Sequence, residues 1–246
     1  LAYIITNTHV IADADQVYIT FSDGARREVS VLGKDAYSDI AVLSVKAEYV
    51  LAVATLGSSE DAKLGDTVFT IGAPIDSEYF GTVTRGILSG KDRMVEVSVE
   101  SSGDYVMRVI QTDAALNSGN SGGPIANSNG GVIGVTSMKV VSDGVEGIGF
   151  AIPIEDVLNY ITKIEKGEVI ERPYLGVAMA NISDLYNLYQ NNIEVPENVQ
   201  GAIIIEVVDN SSASKAGLKK GDLVYQVGGE KVTTTAELRY ELYKYS

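Results

Sequence analysis

Asn117-Ser118-Gly119-Asn120-Ser121-Gly122-Gly123-Pro124 decides how this chain is read. A serine stands among three glycines, shortly after the strand-like Val109-Ile110-Gln111-Thr112. Glycine has no Cβ, so the backbone here can turn tightly and present bare N–H groups. A serine hydroxyl on such a turn can attack a carbonyl while the N–H groups hold the oxyanion that forms. Most glycine- and serine-rich runs are plain turns, so this stretch needs support from elsewhere in the chain.

A serine hydroxyl needs an adjacent base to act at neutral pH. The chain has one histidine, His9, at the end of the apolar, strand-like Ile4-Ile5-Thr6-Asn7-Thr8-His9-Val10. Gly119-Asn120-Ser121-Gly122-Gly123 matches the G-x-S-x-G elbow of α/β-hydrolases, but that fold places its histidine after the serine. No histidine follows Ser121. Histidine, then aspartate, then serine is the chymotrypsin-like order. Asp13, Asp15, Asp23, Asp35, Asp39, Asp66, Asp76 and Asp113 are aspartates that could orient the histidine. Asp39 is the choice, because it opens the apolar Ile40-Ala41-Val42-Leu43-Ser44-Val45 and can be partly buried there. Such a carboxylate fixes the imidazole tautomer and stabilises the imidazolium.

Several blocks, in order and across nearly the whole chain, resemble the HtrA/Deg serine proteases. They are Thr6-Asn7-Thr8-His9-Val10-Ile11, Ser38-Asp39-Ile40-Ala41-Val42-Leu43, Val83-Thr84-Arg85-Gly86-Ile87, Gln111-Thr112-Asp113-Ala114-Ala115, Gly119-Asn120-Ser121-Gly122-Gly123-Pro124 and Gly147-Ile148-Gly149-Phe150-Ala151-Ile152-Pro153. The likeness leans toward the membrane-anchored forms of Gram-positive bacteria. It implies His9 as general base, Asp39 as its orienter, Ser121 as nucleophile, and the N–H groups of Gly119 and Ser121 as oxyanion donors. Two positions depart from the family pattern. Ala73 stands where asparagine is frequent, and Ser118 replaces a common proline or arginine in the loop that shapes the oxyanion hole.

The formal net charge is −14, from 19 basic and 33 acidic residues. That disfavours nucleic acid or anionic lipid as a partner, since both need basic patches. With one histidine and no cysteine the chain lacks a zinc-ligand set, and no phosphate-binding loop occurs, so no metal or cofactor is expected. Cysteine absence alone does not choose a compartment. The chain opens at Leu1 inside a strand-like run. The resemblance implies a further strand and a membrane anchor ahead of it, and an extracytoplasmic, cell-envelope location.

Many short strands separated by turns occupy residues 1–167, the expected peptidase domain. Gln16–Phe21 and Glu28–Leu32 alternate around Asp23-Gly24. Thr67–Ile71, Tyr79–Leu88, Tyr105–Thr112, Gly131–Val140 and Gly147–Ile152 are further strands. The resemblance makes this a chymotrypsin-like double β-barrel, six strands in each, with the triad between them. After Pro153, Ile154, Val157, Leu158, Ile161 and Ile164 recur at helical spacing, with Gly167 as a stop. That helix is expected on the second barrel. Residues 168–173 form a polar linker, and 174–246 resemble a small α+β PDZ domain that lacks its closing strand. Tyr174, Leu175, Gly176 and Val177 resemble the loop whose N–H groups hold a peptide C-terminal carboxylate. Ser212–Asp222 resembles the helix and turn of bacterial PDZ domains, and Thr233–Tyr243 reads as the groove helix.

In chymotrypsin-like folds the segment before the nucleophile floors the pocket for the residue ahead of the cleaved bond. Here that is Ala115 and Leu116, which predict small or medium aliphatic residues. Asp113 would favour basic residues instead if it pointed inward. The segments 93–104, 117–119 and 138–146, polar or glycine-bearing, are candidate switch loops. The function expected is ATP-independent cleavage of unfolded proteins, with peptide C-termini as PDZ ligands and a homotrimer as the assembly. A non-catalytic chaperone or peptide-binding scaffold on the same fold is the alternative.

Overall fold

A computed structural model describes residues 1–74, 77–99, 103–138, 147–166, 168, 173–194 and 199–245. The chain divides into two compact units, Leu1–Val99 with Met107–Val169, and Glu100–Val106 with Ile170–Ser246.

The first unit opens with β1 (Ala2–Thr6), β2 (Val17–Thr20), β3 (Arg26–Asp35) and β4 (Ile40–Val45), ordered β1-β4-β3-β2 in one antiparallel sheet. Every residue of β4 is buried. Its apolar run, interrupted only by the small Ser44, suits a strand covered on both faces. Ala41, Leu43 and Val45 meet Ile11 and Val29 in one cluster. β3 pairs β2 through its first half and β4 through its second, with a register shift between Val31 and Gly33. Such a bulge bends a strand around a core. Among the described residues this half has four strands rather than the six expected of its barrel. Residues 50–66 add no strand to it. They lack period-two alternation and carry the turn-forming Gly57-Ser58-Ser59, so they run irregularly, with one isolated bridge from Leu56 to Val132.

β5 (Thr67–Gly72), β6 (Thr82–Val99), β7 (Gly103–Thr112), β8 (Pro124–Asn127), β9 (Val132–Thr136) and β10 (Gly149–Pro153) close into a six-stranded barrel, ordered β10-β7-β6-β5-β8-β9. Val68, Leu88, Ile110, Ile125, Ile133 and Ala151 fill its interior. Residues 93–104, expected as a switch loop, are instead mostly strand. Val95, Val97 and Val99 extend the alternation of β6, and residues 100–102 lie outside the described residues. The strand expected over Gly131–Val140 ends at Thr136, and of the candidate loop 138–146 only Met138 is described.

α1 (Ile154–Glu165) follows Pro153 and places Glu155 and Asp156 in its first turn, where acids complement the helix dipole. It packs not only on β9 and β10 but also on β3 and β4. Gly33 allows this: a Cβ there would lie 2.9 Å from Ile164 Cγ2. The stop expected at Gly167 lies outside the described residues. The carboxylate of Glu155 accepts the Ser59 N–H at 2.9 Å and the Ser59 hydroxyl at 2.5 Å. Burial works to push the Glu155 carboxyl up, but the Ser59 hydroxyl and nearby N–H donors outweigh it and hold it below the ordinary value.

The second unit holds β11 (Val177–Asn181), α2 (Leu185–Gln190), β12 (Ala202–Val207), α3 (Ser212–Ala216), β13 (Leu223–Val224), β14 (Gln226–Val227), β15 (Glu230–Lys231) and α4 (Thr235–Tyr243). β11-β12-β13 form one sheet and β14-β15 a hairpin. Its core is Ala180, Leu188 and Ile203 on one side and Ala202, Val232 and Leu238 on the other.

Candidate active site

His9 begins a short 3-10 turn (His9–Ile11) just beyond β1, and Asp39 stands directly before β4. β1 and β4 are hydrogen-bonded neighbours, with Thr6 opposite Ala41. Thirty residues of separation therefore collapse into one contact. His9 Nδ1 lies 2.8 Å from Asp39 Oδ2 and 3.0 Å from Oδ1. A carboxylate only accepts, so Nδ1 carries the proton and Nε2 keeps its lone pair. The backbone N–H of His9 donates to Asp39 Oδ1 as well, at 3.1 Å. Asp39 is wholly buried, whereas the His9 side chain is 32% exposed. The Asp39 backbone has φ +56°, in the left-handed region. Such conformations cost about 1–3 kcal/mol, cluster at functional sites and persist only where surroundings impose them.

Ser121 sits on the turn between β7 and β8. Asn120 N–H closes back on Asn117 O at 2.9 Å, and Gly119 takes φ +100°, open to glycine at little cost. Ala73 N–H holds the Gly119 carbonyl at 3.1 Å. A Cβ on Gly119 would collide with the Ala73 carbonyl, and one on Gly72 would collide with Asn120. The N–H groups of Gly119 and Ser121 have no partner among the described residues. Two donors left open beside a serine hydroxyl are what an oxyanion site requires.

The two halves meet through residues that carried no signal in the sequence. The Ser137 hydroxyl, fully buried just past β9, donates to Asp39 Oδ2 at 2.8 Å. The next residue, Met138, donates its N–H to Ser121 Oγ at 3.0 Å. On the other side, a Cβ on Gly122 would strike Thr6 and approach Asn7 N to 3.2 Å, so the serine turn packs against the strand end that leads to His9. Ser121 Oγ makes no hydrogen bond with His9 among the described residues. Catalytic hydrogen bonds are often loose without substrate and tighten when it binds. Ser137 could have been found only as a polar residue ending the apolar Val132–Val135 run, a feature shared by many structural serines.

Ala115 and Leu116 precede the turn. The Thr84 hydroxyl donates to Ala115 O at 2.8 Å, and Leu116 lies against Gly149, whose Cβ would reach Leu116 Cγ at 3.0 Å. The Asp113 carboxylate accepts Ile87 N–H at 2.6 Å, which turns it onto β6.

In the second unit, Leu175 O accepts Ala213 N–H at 2.9 Å and Gly176 O accepts Val208 N–H at 2.8 Å. These bonds fix the peptide planes of the 174–177 loop. The N–H groups of Leu175 and Gly176 have no partner among the described residues. Gly176 has φ +76°, and a Cβ on it would collide with Ser211. β11 is an edge strand, and Asn181 at its end accepts Thr235 N–H from the start of α4 at 2.7 Å. An edge strand beside a helix can receive an extended peptide.

A barrel-bearing unit with this serine, histidine and aspartate arrangement, followed by a small sheet flanked by a helix, defines the class of trypsin-like peptidases coupled to a PDZ domain. Residues 1–135 match the trypsin-like peptidase domain family and residues 173–246 the PDZ domain family. Serine protease Do-like HtrA of Bacillus subtilis (strain 168) is 42% identical over 99% of this chain, and that of Lactococcus lactis subsp. lactis (strain IL1403) 39% over 100%. The chain spans 55% and 62% of those relatives' lengths. Among solved structures, the HtrA-type protease AlgW with decapeptide superposes with TM-score 0.77 at 30% identity, covering 98% of this chain and 71% of AlgW. The serine endoprotease of Yersinia pestis superposes with TM-score 0.74 at 28% identity, covering 98% and 75%. The chain belongs to the HtrA-type serine protease family.

Proposed function

We propose that this chain is the peptidase and PDZ portion of an ATP-independent serine endopeptidase that cleaves unfolded proteins in quality control. The peptidase portion is assigned to 1–167 and the PDZ portion to 174–246, joined by 168–173. The observation that carries the proposal is the Ser137–Asp39–His9 hydrogen-bond chain ending beside the Ser121 turn. His9 Nε2 takes the Ser121 proton as Oγ bonds to the substrate carbonyl carbon. The N–H groups of Gly119 and Ser121 hold the oxyanion. The C–N bond then breaks, His9 protonates the leaving amine, and water repeats the sequence on the acyl-enzyme.

Ala115 and Leu116 floor a pocket for small or medium aliphatic side chains, and the engagement of Asp113 with Ile87 keeps that floor uncharged. Tyr174, Leu175, Gly176 and Val177 hold a peptide C-terminus. The assembly is a homotrimer in the bacterial cell envelope, anchored through a segment outside this sequence. A fluorophosphonate should label Ser121, and the protein should degrade unfolded casein. Ser121→Ala should abolish both, with an expected kcat loss on the order of 10⁶. Casein cleavage surviving in a clean Ser121→Ala preparation refutes the assignment.

A further inference from the structure

We propose that Asn7 is a positioning residue: its buried amide holds the Asp39 backbone in the left-handed conformation that aims the carboxylate at His9. The inference rests on the peptidase reading above but concerns a side chain that touches no reacting atom. Asn7 is wholly buried, and its Nδ2 donates to the Asp39 carbonyl at 2.9 Å. Thr8 N–H donates to the same carbonyl at 3.1 Å. The next carbonyl, Ile40 O, lies 2.9 Å from the Thr8 hydroxyl. Donors from residues 7 and 8 therefore grip the backbone carbonyl of Asp39, with the single Thr8 hydroxyl proton shared between Asp35 O and Ile40 O, while the N–H of residue 9 grips the carboxylate itself.

Asp39 has φ +56°, in the left-handed region, which aspartate enters more readily than most residues but still at a cost, so donors on its carbonyl help to hold it there. Rotation toward the ordinary region would swing Cβ, and with it both carboxylate oxygens, away from His9 Nδ1.

The other end of the same amide supplies the second observation. Asn7 Oδ1 is buried with no hydrogen-bond partner among the described residues. Turning the amide over would set Oδ1 against the Asp39 carbonyl, acceptor facing acceptor, so the orientation is fixed by chemistry. An unpaired buried acceptor is a rare and unfavourable feature that asks for an explanation. A smaller apolar residue would remove it. What asparagine adds is a donor long enough to reach residue 39. Asn7 also adjoins the nucleophile turn through Gly122, so one residue abuts both halves of the site.

The test is a double-mutant cycle on the full chain. Asn7→Ala, with Asn7→Ser as a milder companion, is made alone and together with Asp39→Asn. Peptide hydrolysis should lose about 10- to 100-fold in kcat in Asn7→Ala, at nearly constant KM, as displacement of a catalytic group does. In the Asp39→Asn background the same substitution should cost almost nothing, since the group it positions is already disabled. Equal losses in both backgrounds, or an unchanged kcat, overturn the proposal.

A readout independent of turnover separates this inference from the peptidase reading. His9 is the sole histidine, so Ser121→Ala protein gives one imidazole Nδ1–H proton resonance by NMR. Asn7→Ala should move or broaden it markedly. A signal unchanged in position and width overturns the role of Asn7 even if no substrate is ever cleaved.

Discussion

The half of the proposed site that carries His9 and Asp39 and the half that carries Ser121 are built by opposite means. Around His9 the acceptors of Asp39 are bound: the carboxylate accepts from the imidazole, the His9 backbone and Ser137, and the Asp39 carbonyl accepts from Asn7 and Thr8. Around Ser121 the N–H groups of Gly119 and Ser121 have no partner among the described residues, and the turn is shaped by glycines packed against the end of β5 and by the Thr136 hydroxyl, which lies within hydrogen-bond reach of the Asn120 and Gly123 carbonyls. A base must be held in one tautomer and one direction before substrate arrives. An oxyanion site must keep its donors free until charge develops. Full hydrogen bonding of the Asp39 carboxylate serves the first need, and a glycine backbone with unpartnered N–H groups among the described residues serves the second.

That contrast can be broken from either side. In the saturated half, Asp39→Asn keeps the shape but lets Nδ1 face a donor, which disfavours the working tautomer. A kcat loss of about 10⁴ is expected in peptide hydrolysis, with fluorophosphonate labelling slowed in parallel. A loss under about tenfold would mean that the carboxylate is not the orienter.

In the open half, Gly119→Ala sets a Cβ against Ala73 and strains a positive φ, so the peptide carrying the Gly119 N–H should turn away. The expected loss is about 10²–10³ in kcat at little-changed KM. Full activity in this variant would remove Gly119 from the oxyanion site.

The smallest effect sharpens the comparison by lying outside both halves. The depressed Glu155 carboxyl, set by burial against the stronger Ser59 hydrogen bonds, stabilises the charged form in the folded state. Its contribution is therefore fully present above the ordinary value of 4.5 and is lost as pH falls through the lower folded value. Glu155→Gln should lower Tm at neutral pH, and the gap to the unchanged protein should close in acid. A gap that persists below that range contradicts the Ser59 clamp.

Much of the fold was legible because periodicity reports burial directly. The largely apolar β4, the hairpin around Asp23-Gly24 and the helix after Pro153 follow from local pattern. One reading failed and another was incomplete, each for an identifiable reason. Glycine and polar residues in 93–104 suggested a loop, yet the valine alternation extended β6 through it. Helical spacing in Ile154–Ile164 identified an apolar face but not what that face would cover, and the bare backbone of Gly33 drew it onto β3 as well.

For the site, chemistry named its own candidates. One histidine, an order that excludes the α/β-hydrolase arrangement, and a serine among glycines narrowed the choice before any coordinates. Ser137, Met138 and Asn7 were beyond reach, since a hydroxyl, an N–H and an amide have no distinguishing type or spacing.

What the sequence settled alone was which groups exist and in what order: a single imidazole, a glycine-rich serine turn, and two segments of different character. Only the tertiary structure decided which neutral polar groups face the Asp39 carboxylate and carbonyl, and that the donors at Gly119 and Ser121 have no partner among the described residues. The physical reason is range. Residue type and spacing govern conformation over a few neighbours, whereas a hydrogen bond across 98 residues, from Ser137 to Asp39, exists only once the packing of the sheet and the barrel has brought its ends together.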